Sequence, residues 1–189
     1  QQPALRGKVA AFTSWDVFPY IINEERSRVP VNAGPEPVPG ETLLNSLLQQ
    51  LPNPWPGIRH DALTFRYALA HLQKSRPRLL YIGFDETDDF AHNERYDEYI
   101  SAAHRADDMV RELWEWVQRT DGYRDRTTLI ITTDHGRGNA AEWSDHGGGI
   151  EGAQHTWLAI MGPDTPLLGA ETSGQVYHHQ IARTIAALL

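Results

Sequence analysis

The amino-acid sequence predicts an α/β protein, a three-layer α/β/α sandwich built on a mostly parallel sheet. Three observations lead there. Short apolar runs recur at residues 8–12 (KVAAF), 79–84 (LLYIGF), 127–132 (TTLIIT) and 157–161 (WLAIM). Between them lie stretches whose apolar residues return every three or four positions, the period of a helix. LLYIGF is continuous rather than alternating, the pattern of a strand covered on both faces.

Taken in order, residues 8–12 read as a buried strand, and the aromatic-rich SWDVFPYIIN after it as a short helix or turn. Residues 30–58 form an irregular connection, because seven prolines fall between Pro30 and Pro56 and each fixes φ and removes a backbone donor. A short helical piece near residues 41–51 interrupts it. Residues 61–75 bring Leu63, Tyr67, Ala70 and Leu72 to one face of a helix, with Asp61 at its start, where acids are favoured. After the strand at 79–84, Tyr99, Ala103, Ala106, Val110, Leu113, Trp114 and Val117 recur at helical steps among charged residues. That is the strongest helix signal in the chain. Residues 127–132 and 157–161 are two more strands, the second stopped by Gly162-Pro163, and residues 180–189 close the chain as an amphipathic helix. There is no internal repeat.

The chain has 189 residues, enough for one domain with a sizeable core. Its apolar fraction of 40% and charged fraction of 22% are those of a folded globular protein. The net charge of −8 lacks the basic footprint of non-specific nucleic-acid binding. It does not exclude a phosphate substrate, since a bound metal supplies local positive charge. With no cysteine, disulfides and thiolate metal sites are excluded. No apolar run approaches the roughly 20 residues of a membrane-spanning helix, and QQPALRGKVAAF lacks the long apolar stretch of a secretory signal.

In open parallel sheets, chemistry gathers beyond the carboxyl ends of the strands. Three clusters fall at or near such places: DETDDFAH (Asp85, Asp88, Asp89, His92), TDHGRG (Asp134, His135) and SDHGGG (Asp145, His146), followed by His155. Each admits an ordinary reading by itself. Asp88 and His92 suit a solvated acid and a helix cap, Asp134-His135 a turn with an Asx hydrogen bond, and His146 a flexible loop. His104 reads as an ordinary helix residue, His178 and His179 as caps of the closing helix, and His60 and His71, without acidic neighbours in sequence, as structural. Together, carboxylate oxygens and imidazole nitrogens without sulfur make a ligand set for zinc, manganese or iron. Their joint occurrence favours metal binding.

The succession D-x-x-x-H, then T-D-H-G, then a later H-G ahead of an apolar strand and Gly-Pro resembles the alkaline phosphatase superfamily. It is most similar to the nucleotide pyrophosphatase/phosphodiesterase-like branch. ETDDFAH, ITTDHGRG, HGGG followed by WLAIMGP, and the closing QIARTIAALL look like pieces that family places in the C-terminal half of its domain. The resemblance implies an alkaline-phosphatase-like fold, with residues 1–189 the C-terminal part of a single metallohydrolase domain that is incomplete at its N-terminus. It also implies two divalent metal ions, Zn2+ ahead of Mn2+ or Fe. Asp88, His92 and a later histidine would hold one; Asp134 and His135 would hold the other. His146 is the expected later histidine and His155 the alternative. Asp85 and Asp89 are expected to orient the ligands, and Arg137 to meet a substrate oxyanion or to pair on the surface.

Two parts of the family's site have no counterpart here: an N-terminal Asp ligand and a Ser or Thr nucleophile, both expected in a missing upstream half. Thr13 and Ser14 offer hydroxyls after a strand, but the family places no nucleophile there. The implied function is metal-dependent hydrolysis of a phosphate ester, mono- or diester, by in-line displacement at phosphorus. The alternatives are a non-catalytic metal-binding fragment that needs a partner segment, and a sulfatase or phosphomutase of the same superfamily. A periplasmic or secreted location is expected.

Overall fold

The computed structural model describes residues 3–189, so the first two residues of the expected 1–189 domain lie outside them. The chain divides into two compact units, Gln1–Leu113 and Trp114–Leu189. In chain order the first unit runs β1 (Val9–Thr13), α1 (Phe18–Ile21), α2 (Glu24–Ser27), β2 (Val31–Ala33), α3 (Thr42–Gln50), α4 (Asp61–Ser75), β3 (Leu79–Gly83) and α5 (Glu86–His92). The division between units falls inside the long helix α6 (Tyr96–Arg119).

β1 is the central strand of the first unit, with β2 on one side and β3 on the other, all parallel. The register sets Thr13 opposite both Ala33 and Gly83, so the three carboxyl ends are level. Side chains alternate across a strand, and β1 uses both faces. Ala10 and Phe12 join Leu48 of α3 and Leu63, Tyr67 and Ala68 of α4 in one apolar cluster, against which Leu80 and Ile82 of β3 also pack. Ala11 joins Val31 and Ala33 on the other face, where Phe18 and Ile22 pack.

α3 falls within the expected helical piece, and α4 covers residues 61–75 as the period predicts. Three features differ from expectation. β2 is a short strand inside the Pro-rich connection, too brief to show a pattern of its own. α5 is a helix where the sequence shows only an acidic cluster. β3 is not covered on both faces, since Tyr81 remains 47% exposed.

The second unit contains β4 (Leu129–Thr132), β5 (Leu158–Met161) and α7 (His178–Leu188). β4 and β5 pair antiparallel, Thr132 opposite Leu158. β1 to β3 form a parallel sheet, consistent with the expected α/β fold, whereas β4 and β5 form a separate antiparallel pair. Antiparallel strands need no crossover helix, so the connection between them is a loop with one 3-10 turn, Ala140–Glu142. Among the described residues no helix is long and apolar enough to cross a membrane.

Candidate metal centre

α5 leaves the tip of β3 and carries the first cluster. Its helical spacing puts Asp88 and His92 side by side, Oδ2 to Nε2 3.3 Å, with about a third of each side chain exposed, 33% and 39%. Asp85 and Asp89 are set deeper, and their carboxyl groups share a hydrogen bond. Burial, then that bond and the charges of Asp89, Asp61 and Asp88, push the Asp85 carboxyl up to about 8. Burial is also the main cause that raises Asp89; Asp88 adds to it, while the Asp85 bond and His92 oppose it. Asp89 Oδ2 is buried without a hydrogen-bond partner.

The second unit carries its candidates on the loop between β4 and β5. His135 Nδ1 lies 2.9 Å from the carbonyl of Gly136. Only a ring N–H can make that bond, and Nε2 on the other side of the ring lies 3.7 Å from Asp134 Oδ1. The ring of His146 stacks on that of His135 with centroids 3.7 Å apart and planes 14° from parallel. Asp134 is largely exposed, and its Oδ1 accepts the His135 backbone N–H at 3.1 Å. His155 takes another course: its ring is exposed and approaches Gln154, 3.3 Å away.

Loop packing explains Gly136 and Gly138, which follow His135. A Cβ on Gly136 would stand 2.1 Å from the His155 carbonyl oxygen, and its N–H donates to Ala153 O at 2.7 Å. A Cβ on Gly138 would stand 2.4 Å from Glu142 O. Arg137 Nη1 donates to Ser144 O at 3.0 Å, two residues before His146.

The model of the type I phosphodiesterase / nucleotide pyrophosphatase family matches residues 10–181. The chain belongs to that family, in the alkaline phosphatase superfamily. No curated protein matches the chain. Membership in a type I phosphodiesterase family makes the protein one of a hydrolase family. The donor set suits the family's metal dependence. It consists of carboxylate oxygens and imidazole nitrogens, and beside it Asp89 has an orphaned buried oxygen, while burial first and neighbouring acids second hold the Asp85 and Asp89 carboxyls above their usual range.

In its first unit the phosphodiesterase-family chain also has a buried polar cluster that no sequence motif announces. Asp61, the first residue of α4, is 3% exposed. Its Oδ1 accepts the Ser14 hydroxyl at 2.5 Å and the Asp85 N–H at 2.9 Å; its Oδ2 accepts the Glu86 N–H at 3.1 Å. Glu86 answers by accepting the Asp61 N–H at 3.1 Å, and Arg105 pairs with its other oxygen at 3.0 Å. Burial, with the charge of Glu86 second, pushes the Asp61 carboxyl up to about 7, against the donors that favour its ionised form. Nearby, the fully buried Arg59 donates to Thr64 Oγ1, Asn32 Oδ1, Glu36 O and Thr13 O at 2.7–3.3 Å, with its guanidinium over the Tyr67 ring.

Thr13 and Ser14 belong to this cluster and are 0% exposed. Ser14 Oγ is held by Asp61 and by Thr64 at 2.8 Å, and Thr13 Oγ1 donates to Trp15 O. Neither hydroxyl is open to a substrate. Two of the other histidines make contacts that no local sequence feature shows. His60 meets Glu86 at 3.3 Å, supplied from far along the chain. His178 does more than start α7, since its Nε2 approaches the hydroxyls of Thr132 and Thr156 at 3.3 and 3.0 Å, while Tyr177 forms the capping box. His71 packs on Phe12, and His104 is an exposed residue of α6.

Proposed function

We propose that this chain carries the metal-binding part of a metal-dependent phosphohydrolase that cleaves a phosphomonoester or phosphodiester. Asp88, His92 and His146 would hold one divalent ion, and Asp134 and His135 the other, with zinc ahead of manganese or iron. The observation that supports this most is the state of His135, whose Nδ1 is committed to Gly136 O with the ring of His146 alongside. When bound, the ions would stabilise charge on the phosphoryl oxygens and acidify the attacking hydroxyl.

The chain's own residues do the positioning. The Gly136 carbonyl selects the His135 tautomer. The half-buried Asp85–Asp89 pair, joined by a hydrogen bond, stands beside Asp88 and His92 in sequence. Arg137 braces the stretch that leads to His146 through Ser144 O, and is the cation best placed in sequence to meet a substrate oxyanion. Thr13 and Ser14 are enclosed and would not serve as the nucleophile.

The test is bound metal, measured by mass spectrometry in the wild type, His92→Ala and His146→Ala. Occupancy should fall in both variants, and equal near-zero occupancy in all three would overturn the reading. A second reading, that the 189-residue chain is itself a non-catalytic metal-binding piece, is favoured by the same enclosure of Thr13 and Ser14. It expects little turnover of p-nitrophenyl phosphate, bis-p-nitrophenyl phosphate or p-nitrophenyl sulfate by this chain with added zinc. Robust turnover of any one would refute it and name the preferred ester.

A further inference from the structure

We propose that Asp61 is a positioning residue for the Asp88–His92 pair, fixing the start of the helix that presents both side chains. The inference rests on the metal reading above. α5 has seven residues, too few to hold a helix in water without outside support. Its own N-cap residue gives no help, because the Asp85 side chain makes no cap bond. The first two N–H groups instead go to the two oxygens of a single carboxylate, Asp85 to Asp61 Oδ1 and Glu86 to Asp61 Oδ2.

The anchor is tied to the parallel sheet of the first unit and to the helix packed on it. Ser14 follows β1, donates its hydroxyl to Asp61, and gives its backbone N–H to Gly83 O at the tip of β3 at 2.9 Å. Asp61 opens α4, which packs on the apolar cluster of the sheet. From the anchor to the ligand is a single residue: Asp61 Oδ1 receives the N–H of Asp85, and the carbonyl of Asp85 receives the N–H of Asp88 at 2.9 Å. A shift of Asp61 therefore displaces Asp88 directly, and His92 one turn later with it.

A plain helix cap does not require a buried charge, since Ser, Thr or Asn satisfies a helix start at less electrostatic cost. What the carboxylate adds is two acceptors in one plane, which fix the direction of α5 as well as its first bond. This separates anchoring from a contribution to stability alone.

Co2+, a visible stand-in for zinc, is titrated into the full chain, following affinity and the d–d absorption bands, with thermal melts on the same samples. Asp61→Asn keeps the shape but turns one acceptor into a donor that faces an N–H. It should weaken Co2+ binding by about ten- to a hundredfold and alter the bands, with a cooperative melt retained. Ser14→Ala removes one bond to the anchor and should weaken binding by about fivefold. If Asp61→Asn folds and binds Co2+ with wild-type affinity and bands, the proposal fails. If it does not fold, Ser14→Ala decides: wild-type affinity and bands overturn the proposal, and weaker binding with altered bands supports it. His92→Ala is the control. Binding by His92→Ala equal to wild type, or none by the wild type, would sink the metal reading and the inference with it.

Discussion

The rings of His135 and His146 lie face to face, 3.7 Å between centroids. Of the two histidines that the sequence offers as the later ligand, this places His146 and not His155 against His135. His146→Ala is expected to lower Zn2+ affinity by about tenfold or more, and His155→Ala to leave it near wild type. Competition with a chromophoric chelator measures both, and equal losses would count against the assignment.

Gly136→Ala is expected to destabilise the second unit by about 1–3 kcal/mol, the usual cost of forcing an atom into filled space. The added carbon would meet two backbone carbonyls, of His155 and Gly152 at 2.1 and 2.6 Å, and neither can swing aside as a side chain would. Chemical denaturation followed by fluorescence of the tryptophans reports the loss. Because the Gly136 carbonyl also holds His135 Nδ1, Zn2+ affinity should fall in the same variant.

Phe12→Ala should cost about 3–5 kcal/mol, since it empties a large side chain from a site between strand and helices. The ring is 4% exposed and belongs to the main apolar cluster of the first unit. Tyr20→Ala, at a position 86% exposed, should change stability by about 0.5 kcal/mol or less. Urea midpoints for the two variants give the comparison, and similar shifts would contradict the packing described.

The Asp61 carboxyl predicts a pH dependence with a definite sign. Its pKa is raised from 3.8 to about 7, so between those values the folded protein binds a proton that the unfolded chain has released. Stability contributed by that proton is present below the unfolded value and is lost as pH rises through the folded one. Asp61→Asn has no such proton, so the wild type should lose stability relative to the variant as pH climbs from about 4 to 7. Urea midpoints across that range measure the difference. A constant gap between the two proteins would exclude the shift.

α4 was legible because its apolar period and its leading acid are local features, all within residues 61–75. α6 and the strands of the apolar runs were legible for the same reason. α5 was not, since Glu86, Asp88 and Asp89 crowd its first turn and its one aromatic sets no period. What makes it a helix is a carboxylate 24 residues upstream. Strand direction was equally hidden: TTLIIT and WLAIM read alike whichever way they pair, and the antiparallel register of β4 and β5 belongs to tertiary structure. The ligand candidates showed in the sequence as Asp and His beside glycines at strand ends. The stacking partner of His135 and the enclosure of Thr13 and Ser14 needed coordinates.

Arg59 carries a consequence for how this sequence can drift. One guanidinium, lowered by burial only to about 10 and so still charged at neutrality, serves four acceptors from three segments, β1, residues 32–36 and α4. Lysine, with a single point charge and no planar fork, cannot replace it. Changing Asn32 or Thr64 alone would strand part of a buried cation. Relatives that have abandoned this arginine should therefore have altered Asn32 and Thr64 along with it, as a joint replacement rather than a series of independent steps.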